Sequence, residues 1–395
     1  MTVHTSARAP RIALRPAAVG VRDLYSFLGD LDLDCDVNPC TGLIGAIDPR
    51  RVDDPGALVD FVRRLGLTAA LANVLDLAER DVAVRVVRQE ETLHGDLDDL
   101  ANLISEYHNT HPLRLDEAAL VSCWPHSSGE HVVFVKFSHL IVDLSDVVDL
   151  LTRLRAYLRG DEAVRVGARY RHHRATVERY ARLPTADFAQ VQRELGEVPA
   201  PGRKGVPTIS ASTEQWLPLR RGFTFDVFLS AVTGALLTTI GGGLVLQYPY
   251  SRWDFAGKGG YYVEIKPLVV QAGAASRYTP GYFERTRRYY ESLGRFTMSE
   301  LTSFATAFTS GRMPRIVVSD TTFMRPEPGR WRWIPVRSAR AFEDLKFLAD
   351  RSWPGPPLLR LQYKRRFLSP QTATAILGEL EQRIGASSGT VGPAD

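Results

Sequence analysis

The sequence lacks the features that mark membrane, secreted and zinc-binding proteins. Its most apolar stretch, residues 231–245, contains four glycines and is shorter than the roughly 20 apolar residues that cross a bilayer. Residues 1–15 contain Arg and Pro but no apolar core followed by a small-residue cleavage site, so no secretory signal is predicted. The three cysteines, Cys35, Cys40 and Cys123, have neither metal-ligand nor disulfide-framework spacing. We therefore expect a cytoplasmic protein with buried or semi-buried thiols, which binds no metal and acts at no membrane.

A strong excess of either charge is also missing. The chain has 49 Lys and Arg against 45 Asp and Glu, for a net charge of +4. Proteins that bind nucleic acid usually concentrate far more positive charge on one face, so no nucleic-acid partner is predicted. The densest basic stretch, residues 165–182, is interpreted as a solvated helix face on which His172 and His173 are exposed.

The length of 395 residues exceeds what one small domain needs. Residues 197–207 are too rich in Pro and Gly for any regular element, and we interpret them as a linker. The predicted organisation is an N-terminal lobe over residues 1–196, the linker 197–207, and a C-terminal lobe over residues 208–395.

Helical and strand patterns alternate on both sides of this linker, which predicts an α/β fold. Helices are predicted over residues 58–65, 97–107, 144–158, 224–239 and 370–384. Strands are predicted over residues 82–87, 119–123, 132–137, 244–247, 263–270, 316–318 and 358–363.

The segment best suited to chemistry lies between the predicted strand 132–137 and the predicted helix 144–158. His139 follows the strand directly, and imidazole is the side chain that accepts a proton most readily near neutral pH. Two interpretations stand: a base that faces a cleft, or a histidine whose polar atoms are satisfied at a strand end. Asp143 can either cap the helix or pair with a distant arginine.

The segment from Phe137 to Asp146, FSHLIVDLSD, resembles the HHxxxDG core of nonribosomal-peptide condensation domains and of chloramphenicol-acetyltransferase-like acyltransferases. Weaker similarities to the same family follow one another in the family's order along the chain. They lie at residues 111–115, 223–231, 247–252, 315–319, 342–345 and 359–363. This collinearity, from about His111 to Ile384, carries the resemblance.

The resemblance implies a fold of two chloramphenicol-acetyltransferase-like lobes that form a V around a central tunnel. His139, at the position of the family's second histidine, would act as the base or as a positioning residue. Asp143 would be structural and would pair with Arg252 from the other lobe. Ser138 and Leu144, which replace the family's first histidine and its glycine, would lie beside the tunnel.

The implied function is that of a free-standing acyltransferase of antibiotic or other natural-product biosynthesis. It would join an acyl thioester, carried on the phosphopantetheine of an acyl or peptidyl carrier protein or on CoA, to a small-molecule amine or alcohol. The resemblance implies no bound cofactor, and a monomer is expected. Because Ser138 and Leu144 replace signature residues, a second hypothesis remains open: a catalytically silent module that recruits a carrier protein or a tailoring enzyme.

The implied ion pair between Asp143 and Arg252 gives a first prediction. If the two charges are buried together, Asp143→Ala and Arg252→Ala should each lower the free energy of unfolding by about 3–5 kcal/mol, because each leaves one charge uncompensated. The double variant should lose much less than the sum of the two singles. Denaturant unfolding of the four proteins measures this, and strictly additive losses would show that the two side chains do not touch.

Overall fold

Two β-sheets form the framework of the part of the chain that the structure describes. The structure is a computed structural model and describes residues 39–161, 169–195, 204–206, 210–218, 223–251, 255, 258–296, 301, 306–307, 310–320, 331–341, 343–350 and 358–387. The strands are β1 (Cys40–Gly45), β2 (Ala83–Arg88), β3 (Glu117–Pro125), β4 (His131–Phe137), β5 (Ser210–Pro218), β6 (Leu244–Ser251), β7 (Val263–Val270), β8 (Ile316–Asp320), β9 (Arg332–Ile334), β10 (Arg340–Ala341), β11 (Leu345–Asp350) and β12 (Leu358–Lys364).

Helices alternate with these strands along the chain, which confirms the predicted α/β class. They are α1 (Pro49–Asp53), α2 (Pro55–Arg64), α3 (Leu67–Leu75), α4 (Leu97–Thr110), α5 (Leu144–Leu158), α6 (His173–Ala181), α7 (Phe188–Leu195), α8 (Phe225–Thr239), α9 (Pro280–Ser292) and α10 (Pro370–Ser387). Polar side chains fix several helix starts by accepting a backbone N–H. Asp54, Asp96 and Thr224 do so for α2, α4 and α8.

The first sheet has the strand order β2-β3-β4-β1-β9 and is covered by helices on both faces. Side chains of β4 alternate between the two faces, as the period of two requires. Val133 and Val135 pack with α2, α3 and α5, whereas Val132 and Phe134 pack with α4. Burial on both faces explains why β3 and β4 are almost continuous apolar runs in the sequence.

The second sheet has the strand order β10-β5-β12-β11-β8-β6-β7, and helices cover one of its faces. On that face Leu246, Ile316 and Phe347 belong to one apolar core with α8, α9 and α10. The opposite face carries a row of residues that neighbour one another across four strands. We call this opposite face the polar face of the second sheet. The row on it consists of Gln247, Val317, Lys346 and Gln362.

The two halves of the chain exchange structural elements. Strand β9, from the second half, pairs with β1 and completes the first sheet. The residues after β9 are held by Asn109 of α4, which donates to the carbonyl of Arg337 and accepts from the amide of Ala339. Helix α7, from the first half, packs Val191 and Leu195 into the core of the second sheet. The division into residues 1–196, 197–207 and 208–395 remains a prediction. Strand β9 and helix α7 each pack with the half of the chain to which they do not belong in sequence.

Other sequence expectations have different outcomes. Cys123 is buried and Cys40 is half-buried, as predicted, whereas Cys35 lies outside the described residues. The expectation that His173 is exposed is wrong, because its ring is buried and lies 3.4 Å from the amide of Asn73. Burial lowers the pKa of His173 to about 4. No helix within the described ranges is long and apolar enough to span a membrane.

The contact between β1 and the chain just before β9 generates a prediction. A Cβ atom on Gly45 would lie 2.7 Å from the buried indole of Trp331, closer than the ~3.5 Å at which carbon atoms pack. Gly45→Ala should therefore displace the indole and lower the free energy of unfolding by about 1–3 kcal/mol, measured by denaturant unfolding.

Gly378→Ala is the matched control for Gly45→Ala. It lies on α10 at an exposed position where a new Cβ meets no atom within 4 Å. Because alanine favours helix, this variant should be unchanged or up to about 1 kcal/mol more stable. If Gly45→Ala were as stable as Gly378→Ala, the packing of Trp331 on β1 would be wrong.

Candidate active site

A tight turn connects β4 to α5 and carries His139. Ser138 is buried, and its amide donates to the carbonyl of Ala118 on β3 at 3.0 Å. At the other end of the turn, Asp143 caps α5: its Oδ1 accepts from the amide of Asp146 at 3.0 Å. His139 is thus held between a strand and a helix start, both of which are anchored, and this limits how far its ring can move.

One ring nitrogen of His139 is fixed by a backbone contact. Nδ1 lies 2.7 Å from the carbonyl oxygen of Val142. A carbonyl oxygen can only accept a hydrogen bond, so Nδ1 carries the hydrogen, and the neutral ring then has its lone pair on Nε2. The turn therefore sets the tautomer that presents Nε2 as a proton acceptor.

Burial lowers the pKa of His139 below its usual value of 6.5. The nearby Lys346 lowers it further, whereas the bond to Val142 and the charges of Asp143 and Glu343 raise it. Because the net shift is downward, the ring is neutral at pH 7 and can accept a proton.

The second half of the chain supplies the other neighbours of His139. The rings of His139 and Tyr261 meet in a T-shaped arrangement, with centroids 4.9 Å apart and planes at 82°. Lys346 and Glu343, whose charges act on the histidine, belong to β11 and the turn before it. His139 therefore lies where the two halves meet.

The polar face of the second sheet, which includes Lys346, carries further hydrogen-bonding groups. Lys346 and Gln247 point to the same face, two strands apart, because both neighbour Val317 of β8 in the register. Gln247 is 5% exposed, and its Nε2 has no hydrogen-bond partner among the described residues. A buried amide donor of this kind costs about 1–3 kcal/mol unless something accepts its hydrogen bond.

A second carboxylate, Asp146, contacts polar groups from both halves of the chain. It is fully buried, and its Oδ1 accepts from Nη1 of Arg169 at 2.8 Å. Its Oδ2 lies 3.2 Å from the hydroxyl of Tyr170 and accepts from the amide of Gly260, in the second half, at 3.1 Å. Burial, together with the charge of Asp143, raises the pKa of Asp146 to about 7, although Gly260 and Arg169 act in the opposite direction.

The structure brings some of the predicted site residues together and leaves others untested. Ser138, His139 and Asp143 share one turn, and Asp143 accepts from the amide of Asp146. Arg252 lies outside the described residues, so its pairing with Asp143 remains a prediction. Leu144 begins α5, but its side chain is also outside what the structure describes, and its place beside a tunnel remains a prediction as well.

Sequence reasoning missed Asp146, Tyr261 and Lys346. Asp146 stands three residues after Asp143, a spacing that alone predicts only acidic residues in the first turn of a helix. Its partner Gly260 is 114 residues away, and no pattern in the sequence links two such distant positions.

Comparisons with known proteins give the fold. No family model matches the sequence, and no curated protein matches it. The condensation domain of the monacolin K polyketide synthase matches with a TM-score of 0.67 and 13% identity, over 96% of this chain and 98% of that one. The epimerization domain from the third module of tyrocidine synthetase B matches with a TM-score of 0.60 and 14% identity, over 95% of this chain and 96% of that one.

A third solved structure is the X-domain in its complex with OxyB from teicoplanin biosynthesis. It matches with a TM-score of 0.59 and 14% identity, over 97% of this chain and 94% of that one. At such low identities the likeness establishes the fold alone. The chain has the two-lobed α/β fold of condensation domains, as the resemblance of its His139 segment implied.

The raised pKa of Asp146 generates a prediction about stability and pH. The folded protein binds this proton more tightly than the unfolded chain, whose Asp has the ordinary pKa of 3.8. The contribution of Asp146 to the free energy of unfolding therefore falls as pH rises from about 4 to about 7. The Asn side chain of Asp146→Asn cannot ionise. The free energy of unfolding of this variant should therefore decrease less between pH ~5 and pH ~8 than that of the unaltered protein, by on the order of 2 kcal/mol.

Denaturant unfolding at the two pH values measures this difference. Asp98→Asn, at an exposed position in the first turn of α4, is the matched control and should follow the unaltered protein. If Asp146→Asn showed the same pH dependence as Asp98→Asn, the carboxylate would not titrate in this range.

Proposed function

We propose that this chain is an acyltransferase of the condensation type, which transfers the acyl group of a thioester to a small-molecule amine or alcohol. The observation that supports this most directly is the state of His139. The ring lies at the junction of the two halves, donates from Nδ1 to Val142 and is neutral at pH 7. It therefore presents Nε2 as a base.

In the proposed reaction, the amine nitrogen or alcohol oxygen attacks the thioester carbonyl carbon while Nε2 of His139 takes its proton. A C–N or C–O bond forms, and the C–S bond breaks as the tetrahedral intermediate collapses. The proton then passes from Nε2 to the departing thiolate, so the products are an amide or ester and a free thiol. The Val142 carbonyl, which accepts from Nδ1, stabilises the transient imidazolium.

Groups on the polar face of the second sheet fit this role. The charge of Lys346 favours the neutral form of His139, which is the form that the first step requires. We propose that the buried amide of Gln247 donates to a polar group of the substrate, because nothing in the described chain accepts from it.

The acyl donor would be linked to phosphopantetheine on an acyl or peptidyl carrier protein, or to CoA. Both donors share the pantetheine thioester, so the proposed chemistry at His139 is the same for either. The fold supports this class of substrate, because two domains of the same fold come from the monacolin K polyketide synthase and from tyrocidine synthetase B.

A silent docking module is the second candidate function, and one comparison favours it. The X-domain of this fold was solved in a complex with OxyB, a second protein of teicoplanin biosynthesis. Ser138, at the position of the family's first histidine, is buried in the turn beside His139. Under this hypothesis the chain binds a carrier protein or a tailoring enzyme without turnover.

The prediction that separates the two functions concerns His139. With acyl-loaded carrier proteins and acyl N-acetylcysteamine thioesters as donors, intact mass spectrometry should detect an amide or ester product. His139→Ala should lower the rate about 10²–10⁴-fold, because general-base catalysis is lost. Circular dichroism should show that the variant is folded.

His172→Ala is the matched control, because His172 is exposed and precedes α6, outside the site. It should keep full turnover. Undiminished turnover by His139→Ala would remove His139 as the base. Binding of a carrier protein or a tailoring enzyme, with no product from any donor and acceptor pair, would favour the docking module.

A further inference from the structure

A short series of contacts connects Asp146 to the proposed base. Oδ2 of Asp146 accepts from the amide of Gly260 at 3.1 Å. The next residue, Tyr261, places its ring against His139 with centroids 4.9 Å apart. His139 lies in the turn between β4 and α5 and Asp146 in the first turn of α5, whereas Gly260 and Tyr261 belong to the second half. The loop before β7 therefore contacts both the turn that carries His139 and the first turn of α5.

The local backbone of this loop leaves Tyr261 little freedom. Gly260 has a φ of +140°, which side-chain-bearing residues rarely adopt, and a Cβ there would lie 2.5 Å from the phenol oxygen of Tyr262. The hydroxyl of Tyr262 donates to the carbonyl of Gly259 at 3.1 Å. Residues 259–262 thus form a small rigid unit, and a contact that fixes Gly260 also fixes Tyr261.

The bond to Gly260 links the buried carboxylate of Asp146 to the other half of the chain. On the same half of the chain, Arg169 donates to Oδ1, and the hydroxyl of Tyr170 lies 3.2 Å from Oδ2 and 3.1 Å from the carbonyl of Ile141. The amide of Gly260 is the described contact that extends from this carboxylate to the other half. A charge-assisted hydrogen bond from a backbone amide to a carboxylate is short-ranged and directional. It therefore fixes the position of the loop that contains Gly260.

We infer that Asp146 is a positioning residue for His139: through the Gly260 amide it holds the Tyr261 ring against the imidazole. Tyr261 then excludes water from one side of the ring and fixes its orientation for proton transfer. The importance of this for turnover rests on the proposed function, whereas the physical link between Asp146 and the His139 ring does not.

The experiment measures the pKa of His139 by NMR on protein labelled at histidine Cε1. The chain has nine histidines, and the resonance missing from His139→Ala identifies the one that matters. Asp146→Leu removes the acceptor for Gly260 at similar size, and Tyr261→Leu removes the ring. Asp146→Asn keeps an amide oxygen that can accept from Gly260. Asn109→Ala, which loosens a different contact between the halves, is the matched control.

Asp146→Leu and Tyr261→Leu should each raise the pKa of His139 toward the 6.5 of an exposed imidazole, because water reaches the ring. The double variant should match either single variant, since both changes remove the same contact. Asp146→Asn and Asn109→Ala should leave the pKa where it is. Where turnover is measurable, kcat of Asp146→Leu should fall on the order of 10-fold or more, with KM for the thioester unchanged.

An unchanged pKa in folded Asp146→Leu, or fully additive shifts in the double variant, would overturn the inference. So would a shift in Asn109→Ala as large as that in Asp146→Leu, because any loosening of the halves would then have the same effect. If Asp146→Leu does not fold, Asp146→Ala also removes the acceptor for Gly260 and replaces it in the test: a raised pKa of His139 supports the inference, and an unchanged pKa overturns it. Since the readout is a pKa, it remains decisive even if no acyl transfer is found.

Discussion

The buried carboxylate of Asp146 is the interaction on which the geometry of the site depends. Three groups approach its two oxygens: a guanidinium, a phenol and a backbone amide from the other half of the chain. A carboxylate without exposure to water is tolerated only when such donors surround it. The same residue donates its own amide to Asp143, which caps α5 and ends the turn that carries His139. One side chain thus joins the helix start, the turn and the opposite half.

The environment of His139 favours a neutral imidazole that can act as a base. The backbone of its own turn selects the tautomer, burial and Lys346 disfavour the charged ring, and Tyr261 covers one side. None of these effects requires a second histidine, so Ser138 at the preceding position is compatible with a working base. The backbone amide of Ser138 is bonded to β3, a contact that does not depend on the side chain at this position. The proposed chemistry therefore needs only one imidazole.

Much of the fold follows from patterns within short stretches of the sequence. Strands β3 and β4 are apolar throughout because helices cover both faces, and α5 shows one apolar stripe that ends near Gly160, so each is predicted close to its observed bounds. Strand β5 was missed because its residues, SASTEQWLP, are mostly polar and half-buried, and β1 was missed because Gly42 and Gly45 interrupt it. Those glycines are required by the close approach of β9 and Trp331, which sequence spacing does not reveal.

The residues of the candidate site also fall into two groups, those that a short stretch of sequence predicts and those that only the fold brings together. His139 and Asp143 could be identified because strand, turn and helix start follow one another within a few residues. Gly260, Tyr261 and Lys346 reach the site through the pairing of distant strands, and the buried state of Asp146 depends on partners far along the chain. His173 illustrates the reverse error: a basic, polar stretch predicts exposure, whereas the contacts of α6 with α3 bury that ring.

The central claim is that the fold holds His139 as a neutral imidazole with its lone pair on Nε2. Long-range proton–nitrogen correlation NMR on protein labelled with ¹⁵N-histidine measures this directly at pH ~7. We predict a protonated Nδ1, which donates to the Val142 carbonyl, and an unprotonated Nε2. A hydrogen on Nε2 with the lone pair on Nδ1, or a doubly protonated ring at that pH, would contradict the account.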